Sequence, residues 1–345
     1  MDQDNLNDLI QHQAYLYRLS SSEVVTLLKA FDSNTSQMLS QLRDLLDDLS
    51  DAEKTALMSG QYTTNNLKDI QTLIQEWQQK LSTVLLDGFN VSATALAIYE
   101  AQYIARKFAD QAIKADGKAL MIQVQNTPLT GGTLVDSLFS KITVDTRLKV
   151  ENVIRDGINQ GQTNQQIMQR IRGTKQFNYQ DGLLNQSRNS IDAMVRTARS
   201  HISNVAYVST FESLGAKYLK FVSVLDSRTS KICASLDGTI WKVGDPDIRK
   251  PPLHPHCRSI LVGVDESGET IGQRPSDNGK DIKTVDSNTS FKEWFAKQDE
   301  TFQKNWLGPA RYNLYKDGKY TLDKFLDPLS GQVFTLKELE ILDNP

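Results

Sequence analysis

Cys233 and Cys257 are the chain's two cysteines, and His254 and His256 are two of its four histidines. All four fall in the stretches VLDSRTSKICASLDGTIW (224–241) and PPLHPHCRSI (251–260). Nitrogen and sulfur donors gathered this way have four chemical readings. A structural zinc takes four such ligands in a tetrahedron, and Cys233, His254, His256 and Cys257 would supply them. The spacing is unusual for zinc, because the first half is a lone cysteine rather than a CxxC pair. Adjacent His256 and Cys257 reach one ion only if the backbone turns sharply. Pro252 and Pro255 stiffen that loop and lower the entropy lost on ordering it. A Cys233–Cys257 disulfide would stabilise by roughly 3–4 kcal/mol in the chain-entropy model. A Cys–His nucleophile pair needs an oxyanion hole and an orienting carboxylate, and the neighbouring sequence offers neither plainly. The fourth reading is a metal-free knot. There Asp226, Arg228, Thr229, Asp237 and Arg258 pair and cap tight turns, with Arg228 or Arg258 holding a carboxylate bidentately. The cysteines would then be small buried hydrophobes.

Other chemistry is thin. The chain has no Gly-rich phosphate loop, no HExxH and no GxSxG. Glu338 and Glu340 sit in a helix-forming tail, with Leu336 and Leu339 at core spacing, and read as a solvated face. RTARSH places Arg196 and Arg199 about one turn apart, with His201 just beyond, and reads as a salt-bridged helix face.

The elements that must position the Cys/His cluster follow from periodicity. Apolar residues at helical spacing run through Val24–Leu49 and Leu67–Leu85, and SATALAIYEAQYIARKFADQAIKADG continues in the same manner. Ser21 before Glu23 suits a helix start, and Gly88 and Gly117 suit helix ends. QVQNTPLTGG (123–132) reads as a boundary loop. A second helical block follows, with a short helix capped by Thr163 and closed by Gly173, then a long one carrying Ile191, Val195, Ile202 and Ala206 and closed by Gly215. KYLKFVSVLD, GTIWKV and RSILVGV have the composition of short strands. The polar run 265–290 reads as an exposed linker and 291–345 as a short helical tail. The expected fold is therefore α+β: a mainly helical region over 1–127, a helix packed on a small β-rich module within 133–264, the linker, and the tail.

Composition narrows the function classes. Lys and Arg number 39 against 42 Asp and Glu, a formal charge of −3. Residues 1–60 carry ten acids against four bases, whereas 215–262 carries eight bases against four acids. A modest basic patch is expected there, with Lys217, Lys220, Lys231, Lys242, Arg249 and Lys250 as candidates for non-specific contact with double-stranded DNA. No stretch approaches the ~20 apolar residues of a membrane span. The start, MDQDNLNDLIQHQ, is too acidic for a secretory signal, so the cysteines are expected reduced or metal-bound.

The residues also carry a resemblance. MVRTARSHISNVAYVSTFESLG is similar to a helix of the phage Mu F-like head morphogenesis family, the minor head or minor capsid proteins, with Arg196 and Thr197 at its signature positions. LDSRTSKICASLDGTIW and PPLHPHCRSI resemble the family hallmark, which runs Asp-x-Arg-Thr, Cys, Leu-Asp-Gly, then His-Pro-x-Cys-Arg. Asp226, Arg228, Thr229, Cys233, Asp237, Gly238, His254, Pro255, Cys257 and Arg258 fall on it. The tail FKEWFAKQDETFQKNWLGPARYNLYKDGKYTL is similar to the family's C-terminal portion, so the resemblance covers roughly 145–340. The chain departs where many members have a second cysteine after Cys257-Arg258, because it has Ser259. A metal site needing that cysteine must use His256 instead.

The resemblance implies a virion protein of a tailed phage, not an enzyme. Such a protein is made in the host cytoplasm and acts in procapsid assembly at the portal vertex. It lies inside the capsid near packaged DNA, with no membrane role. Its implied partners are the portal protein, with scaffold or major capsid protein beside it, and DNA. No cofactor is implied beyond a structural zinc at the cluster. Two other classes compete: an ejected effector with a Cys/His- or zinc-centred activity, and a regulatory DNA-binding module, which lacks a clear recognition helix. Family members can carry fused toxin domains, and none is expected after residue 340.

Overall fold

The computed structural model describes residues 5–110, 113–327 and 332–343. In chain order the helices are α1 (Asn5–Asp47), α2 (Asp51–Met58), α3 (Asn65–Ala109), α4 (Gly117–Asn126), α5 (Val135–Asn159), α6 (Asn164–Arg172) and α7 (Leu183–Ser213). Strands β1 (Tyr218–Val222) and β2 (Leu225–Asp226), helix α8 (Lys231–Leu236), and strands β3 (Ile240–Lys242), β4 (Ile260–Val264), β5 (Gln273–Asp277) and β6 (Ile282–Asp286) follow. Helices α9 (Phe291–Ala296), α10 (Glu300–Leu307), α11 (Pro309–Lys316) and α12 (Leu336–Asp343) close the chain. The architecture is α+β, as the sequence implied.

The chain divides into two compact units. One is wholly helical and comprises Leu19–Ala95 and Val124–Arg199. Its core is the apolar stripe of each helix: Leu27, Phe31, Leu42 and Leu46 from α1, Leu67, Ile70, Ile74, Leu81 and Leu85 from α3, and Ile191 and Val195 from α7 are all buried. Two expected breaks are absent. α1 runs unbroken through Ser21, because buried Leu16 and Leu27 continue one stripe across it. α3 runs unbroken through Gly88, where a Cβ would lie 2.7 Å from Leu27 Cδ2, so the glycine permits close approach to α1 rather than ending a helix. α3 therefore absorbs the third predicted helix, and Gly117 opens α4 instead of closing a helix. Among the described residues α3 alone is long and apolar enough to cross a membrane, contrary to the expectation that no segment approached that length. Within it Leu81, Leu85, Phe89, Ala93, Leu96, Ala97, Ala101 and Ile104 form a buried stripe, which a core helix also requires, whereas Val91 and Tyr99 are exposed.

Short polar devices fix the turns of this unit. Thr163 and Gln166 form a reciprocal capping box on α6, and Gly173 follows as its C-cap with φ +91°. Asp181 accepts from the backbone N–H of Thr174 at 2.8 Å and from its hydroxyl at 2.9 Å, closing the loop between α6 and α7. A Cβ on Gly182 would lie 2.3–2.5 Å from backbone atoms of Arg172 and Gly173. Backbone cannot rotate away as a side chain can. Gly182→Ala is expected to destabilise the protein by about 2 kcal/mol or more, at the upper part of the overpacking range, read as a lower urea midpoint at unchanged m-value.

The other unit takes the chain up to Arg18, Leu96–Gln123 and everything from Ser200 onward. Its first sheet has the order β3-β1-β4, wholly antiparallel, with Tyr218 opposite both Lys242 and Val264. β1 and β4 are buried almost throughout and pack with Leu6, Leu9, Ile10, Tyr207 and Phe211 into one core that also holds Cys233 and Cys257. The chain start is anchored there by polar groups too. His12 Nε2 lies 3.0 Å from Glu100 Oε1, the Gln13 amide donates to the Tyr207 hydroxyl, and that hydroxyl donates to Glu100.

The second sheet corrects the linker expectation. Residues 265–290 hold β5 and β6, which form a hairpin, and β5 pairs in parallel with β2. Arg274 of β5 is among the largest fully buried side chains. A second core, with Phe291, Trp294, Phe295, Leu307, Tyr312 and Phe325, draws the tail helices against Leu225 and Ala234.

Candidate functional site

α8 is short, and two things hold it. Ser230 caps it by accepting from the Cys233 N–H, and its buried face is split between the two cores, Cys233 into one and Ala234 into the other. The facing loop brings His254 and Cys257 to it. Cys233 Sγ lies 3.3 Å from His254 Nε2 and 3.7 Å from Cys257 Sγ, and both cysteines are free. The donor atoms of the three residues all lie within 4.8 Å of one another. His254 Nδ1 lies 2.8 Å from the Pro255 carbonyl, a bond in which that nitrogen must carry the proton, and Nε2 faces the sulfurs. Hydrogen bonding from Cys233, then from His254, holds the Cys257 thiol well below its ordinary range, while the Cys233 thiol, donating to Cys257 and buried, is pushed up. Burial would lower His254, but the hydrogen bond and charge of Cys257 overcome it and raise it.

His256 is not in this group, contrary to the four-ligand expectation. Its backbone takes φ +60° and its Nδ1 lies 3.0 Å from the Tyr17 hydroxyl. The backbone does turn between His256 and Cys257, and the turn directs the histidine to α1.

Around the trio stands a polar knot. Arg258 grips Asp226 with two parallel bonds, Nη1 to Oδ2 at 2.6 Å and Nη2 to Oδ1 at 2.8 Å. Asp226 Oδ1 also accepts from the Arg228 N–H at 3.0 Å and the Thr229 hydroxyl at 3.1 Å. Burial alone would raise this carboxyl, but the bonds and charge of Arg258, with Arg228 and Thr229, hold it below the usual carboxylate range. Of the two candidate arginines, Arg258 makes the fork, and the Arg228 side chain is 75% exposed and only grazes Asp226 at 3.4 Å. The indole of Trp306 donates to the Thr229 carbonyl at 3.0 Å, tying the tail to the knot.

Asp237 anchors a separate network. It accepts from the backbone N–H of Ser223 at 2.6 Å and of Phe291 at 2.7 Å, and pairs with Arg274 at 3.0 and 3.2 Å. Gly238, at φ +85°, lets the chain turn so that its N–H reaches the Phe221 carbonyl at 2.8 Å. Arg274 also donates to the carbonyls of Ser223 and Thr289. Sequence reading passed over Arg274 because it lies in a polar, glycine-containing run. It also passed over Asn204, whose amide bridges the Ser259 carbonyl and the Leu261 N–H, each at 3.3 Å, and so pins α7 to β4.

Arg196 and Thr197 lie in the helical unit and are engaged there. Arg196 meets Asp192 at 3.0 Å and the hydroxyls of Ser20 and Ser21, and Thr197 donates to the Ala193 carbonyl at 2.6 Å. Arg199 meets Glu23 at 2.5 Å, the salt-bridged face its spacing suggested.

Among the DNA-contact candidates Lys217, Lys242 and Lys250 are exposed and Arg249 half-buried. Lys220 is buried and donates to Asn288 at 2.9 Å, which removes it from the set, since its ammonium is spent inside the fold. Lys231 is half-buried with its ammonium 4.7 Å from the centre of the Trp306 ring.

Residues 148–262 match the family model described as phage Mu protein F like protein. Over this segment the chain is similar to the Mu F-like phage head morphogenesis proteins. Comparison with curated proteins and with solved structures returns no match. The Mu F-like segment is about a third of the chain. It opens within α5, contains α6, α7, the trio and the Asp226 knot, and ends inside β4. It therefore includes Asp237 and excludes its partner Arg274.

Proposed function

We propose that this protein is a minor head protein with a structural, non-enzymatic role, built into the phage head at the portal vertex and lying near the packaged DNA. The Mu F-like match carries the reading. The geometry supports it: the segment's signature side chains are spent on holding the chain in place. Asp226 and Asp237 each bind an arginine and backbone N–H groups. A nucleophile must be reachable by substrate, and Cys233 and Cys257 are 2% and 1% exposed. The partner expected from the family resemblance is the portal protein. The deciding experiment is co-expression of the full chain with portal, scaffold and major capsid protein, followed by particle purification. Co-purification in few copies per particle supports the reading. Normal heads that exclude the chain, even with portal present, overturn it.

The DNA part of the proposal rests on three exposed lysines. The β1–β3 register sets Lys242 opposite Tyr218, beside Lys217, and Lys250 follows in the loop before β4. Three phosphate contacts imply that log K falls with log[salt] with a slope of about −3. The triple substitution Lys217→Glu, Lys242→Glu, Lys250→Glu is expected to weaken binding to a random-sequence duplex at least tenfold at low salt and to flatten that slope. An unchanged slope in the triple variant would locate any DNA contact elsewhere.

A further inference from the structure

We infer that Cys233, Cys257 and His254 form a three-ligand zinc site whose fourth position is taken by an oxygen donor beside Ser259, and that the metal staples the 251–258 loop to α8. The distances carry the argument. Two sulfurs bound at about 2.3 Å to one tetrahedral ion lie about 3.8 Å apart, and a sulfur and an imidazole nitrogen lie about 3.5 Å apart. The observed separations are 3.7 Å and 3.3 Å. Sulfurs joined as a disulfide would stand at about 2.05 Å.

The donor set also selects the metal. Two thiolates and an imidazole form a soft, nitrogen–sulfur set that suits zinc and poorly suits the oxygen-seeking magnesium or calcium. The histidine is oriented as a ligand needs: Nδ1 is engaged by the Pro255 carbonyl, and Nε2 faces the sulfurs. The ligands come from a helix turn and a loop on opposite sides, so an ion there would tie together segments more than twenty residues apart.

Ser259 identifies the fourth position. Its side chain is 3% exposed and lies two residues beyond the ligand Cys257. A water or the serine hydroxyl completes the tetrahedron, and a thiol at this position would do so more strongly.

The test uses the full chain, purified without added metal and then exposed to Zn²⁺ or Co²⁺ alone. About one ion per chain is expected. Co²⁺ should give the intense visible d–d bands of tetrahedral coordination together with a near-ultraviolet thiolate-to-metal band. Bound Zn²⁺ should protect both thiols from a thiol reagent until a chelator is added, and the chelator should lower the Tm. His254→Ala should weaken Zn²⁺ binding by tenfold or more. Ligand-removing variants can fail to fold, so a gain-of-ligand variant is the safeguard: Ser259→Cys should tighten Zn²⁺ binding at least tenfold and intensify the thiolate band. Octahedral Co²⁺ spectra, or thiols equally reactive with and without Zn²⁺ in the folded wild-type chain, would overturn the site and leave a metal-free knot. Unchanged affinity in a folded Ser259→Cys variant would overturn the assignment of the fourth position.

Discussion

Replacing Arg274 with alanine is expected to cost about 3–5 kcal/mol of stability, the range for breaking a buried ion pair by removing one partner. Both side chains are inside the protein, Arg274 at 2% exposure and Asp237 at 0%. The loss would leave the Asp237 carboxylate with its two backbone donors but without its bonded counter-charge, and would deprive the Ser223 and Thr289 carbonyls of a donor. Arg274→Lys should recover little, because an ammonium cannot span both carboxylate oxygens and two carbonyls as the guanidinium fork does. Asp237→Ala should cost a similar amount, since it strands the arginine. The double variant should cost much less than the sum of the single ones. Urea titration of the four proteins checks this, and additive losses would mean that the pair does not act as a unit.

The second large effect belongs to Asp226 and Arg258, and it has a pH signature. In the wild type Asp226 is held below its ordinary value of 3.8. Its contribution to stability is present above that value and is lost as the pH falls through the depressed folded one. Arg258→Ala should cost about 3 kcal/mol near neutrality. That is the lower end of the range, because the Arg258 side chain is 18% exposed and Arg228 stays nearby. The sign of the pH dependence should then reverse locally. With its main counter-charge gone, burial raises the carboxyl, and acidification through that raised value relieves a penalty instead of removing a bond. Stability measured from pH 7 to pH 3 in the two proteins should show the gap between them closing on the acid side. A constant gap would show that the fork does not set the ionisation of Asp226.

Much of the fold could be read from local pattern, and the exceptions have physical reasons. Thr163, Gly173 and Gly215 act where capping rules put them, and the strands of the first sheet lie within the stretches whose residues suggested them. Ser21 and Gly88 misled because local propensity was overridden by long apolar stripes, and for Gly88 by the side chain of Leu27. The hairpin of β5 and β6 was hidden because its strands are polar: apart from Arg274 and Ser276, most of its side chains face solvent, so no alternation of apolar residues announces it. In the site, clustering in sequence did bring Cys233, His254 and Cys257 together. It could not show that His256 turns to Tyr17, which lies 239 residues away, nor that Asp237 takes an arginine from outside the signature.

The anchoring of the first helix has a consequence for how the chain is made. Gln13 bonds to Tyr207 across 194 residues of sequence, and Tyr17 to His256 across 239. A ribosome adds roughly 5–20 residues per second, so on the order of ten to fifty seconds pass between the emergence of the first partner and the second. Throughout that interval the apolar face that Leu6, Leu9 and Ile10 present has no sheet to cover it. The module built on β1 and β4 therefore cannot reach its final form until both ends of these contacts have been made, which places it among the later parts of the chain to complete.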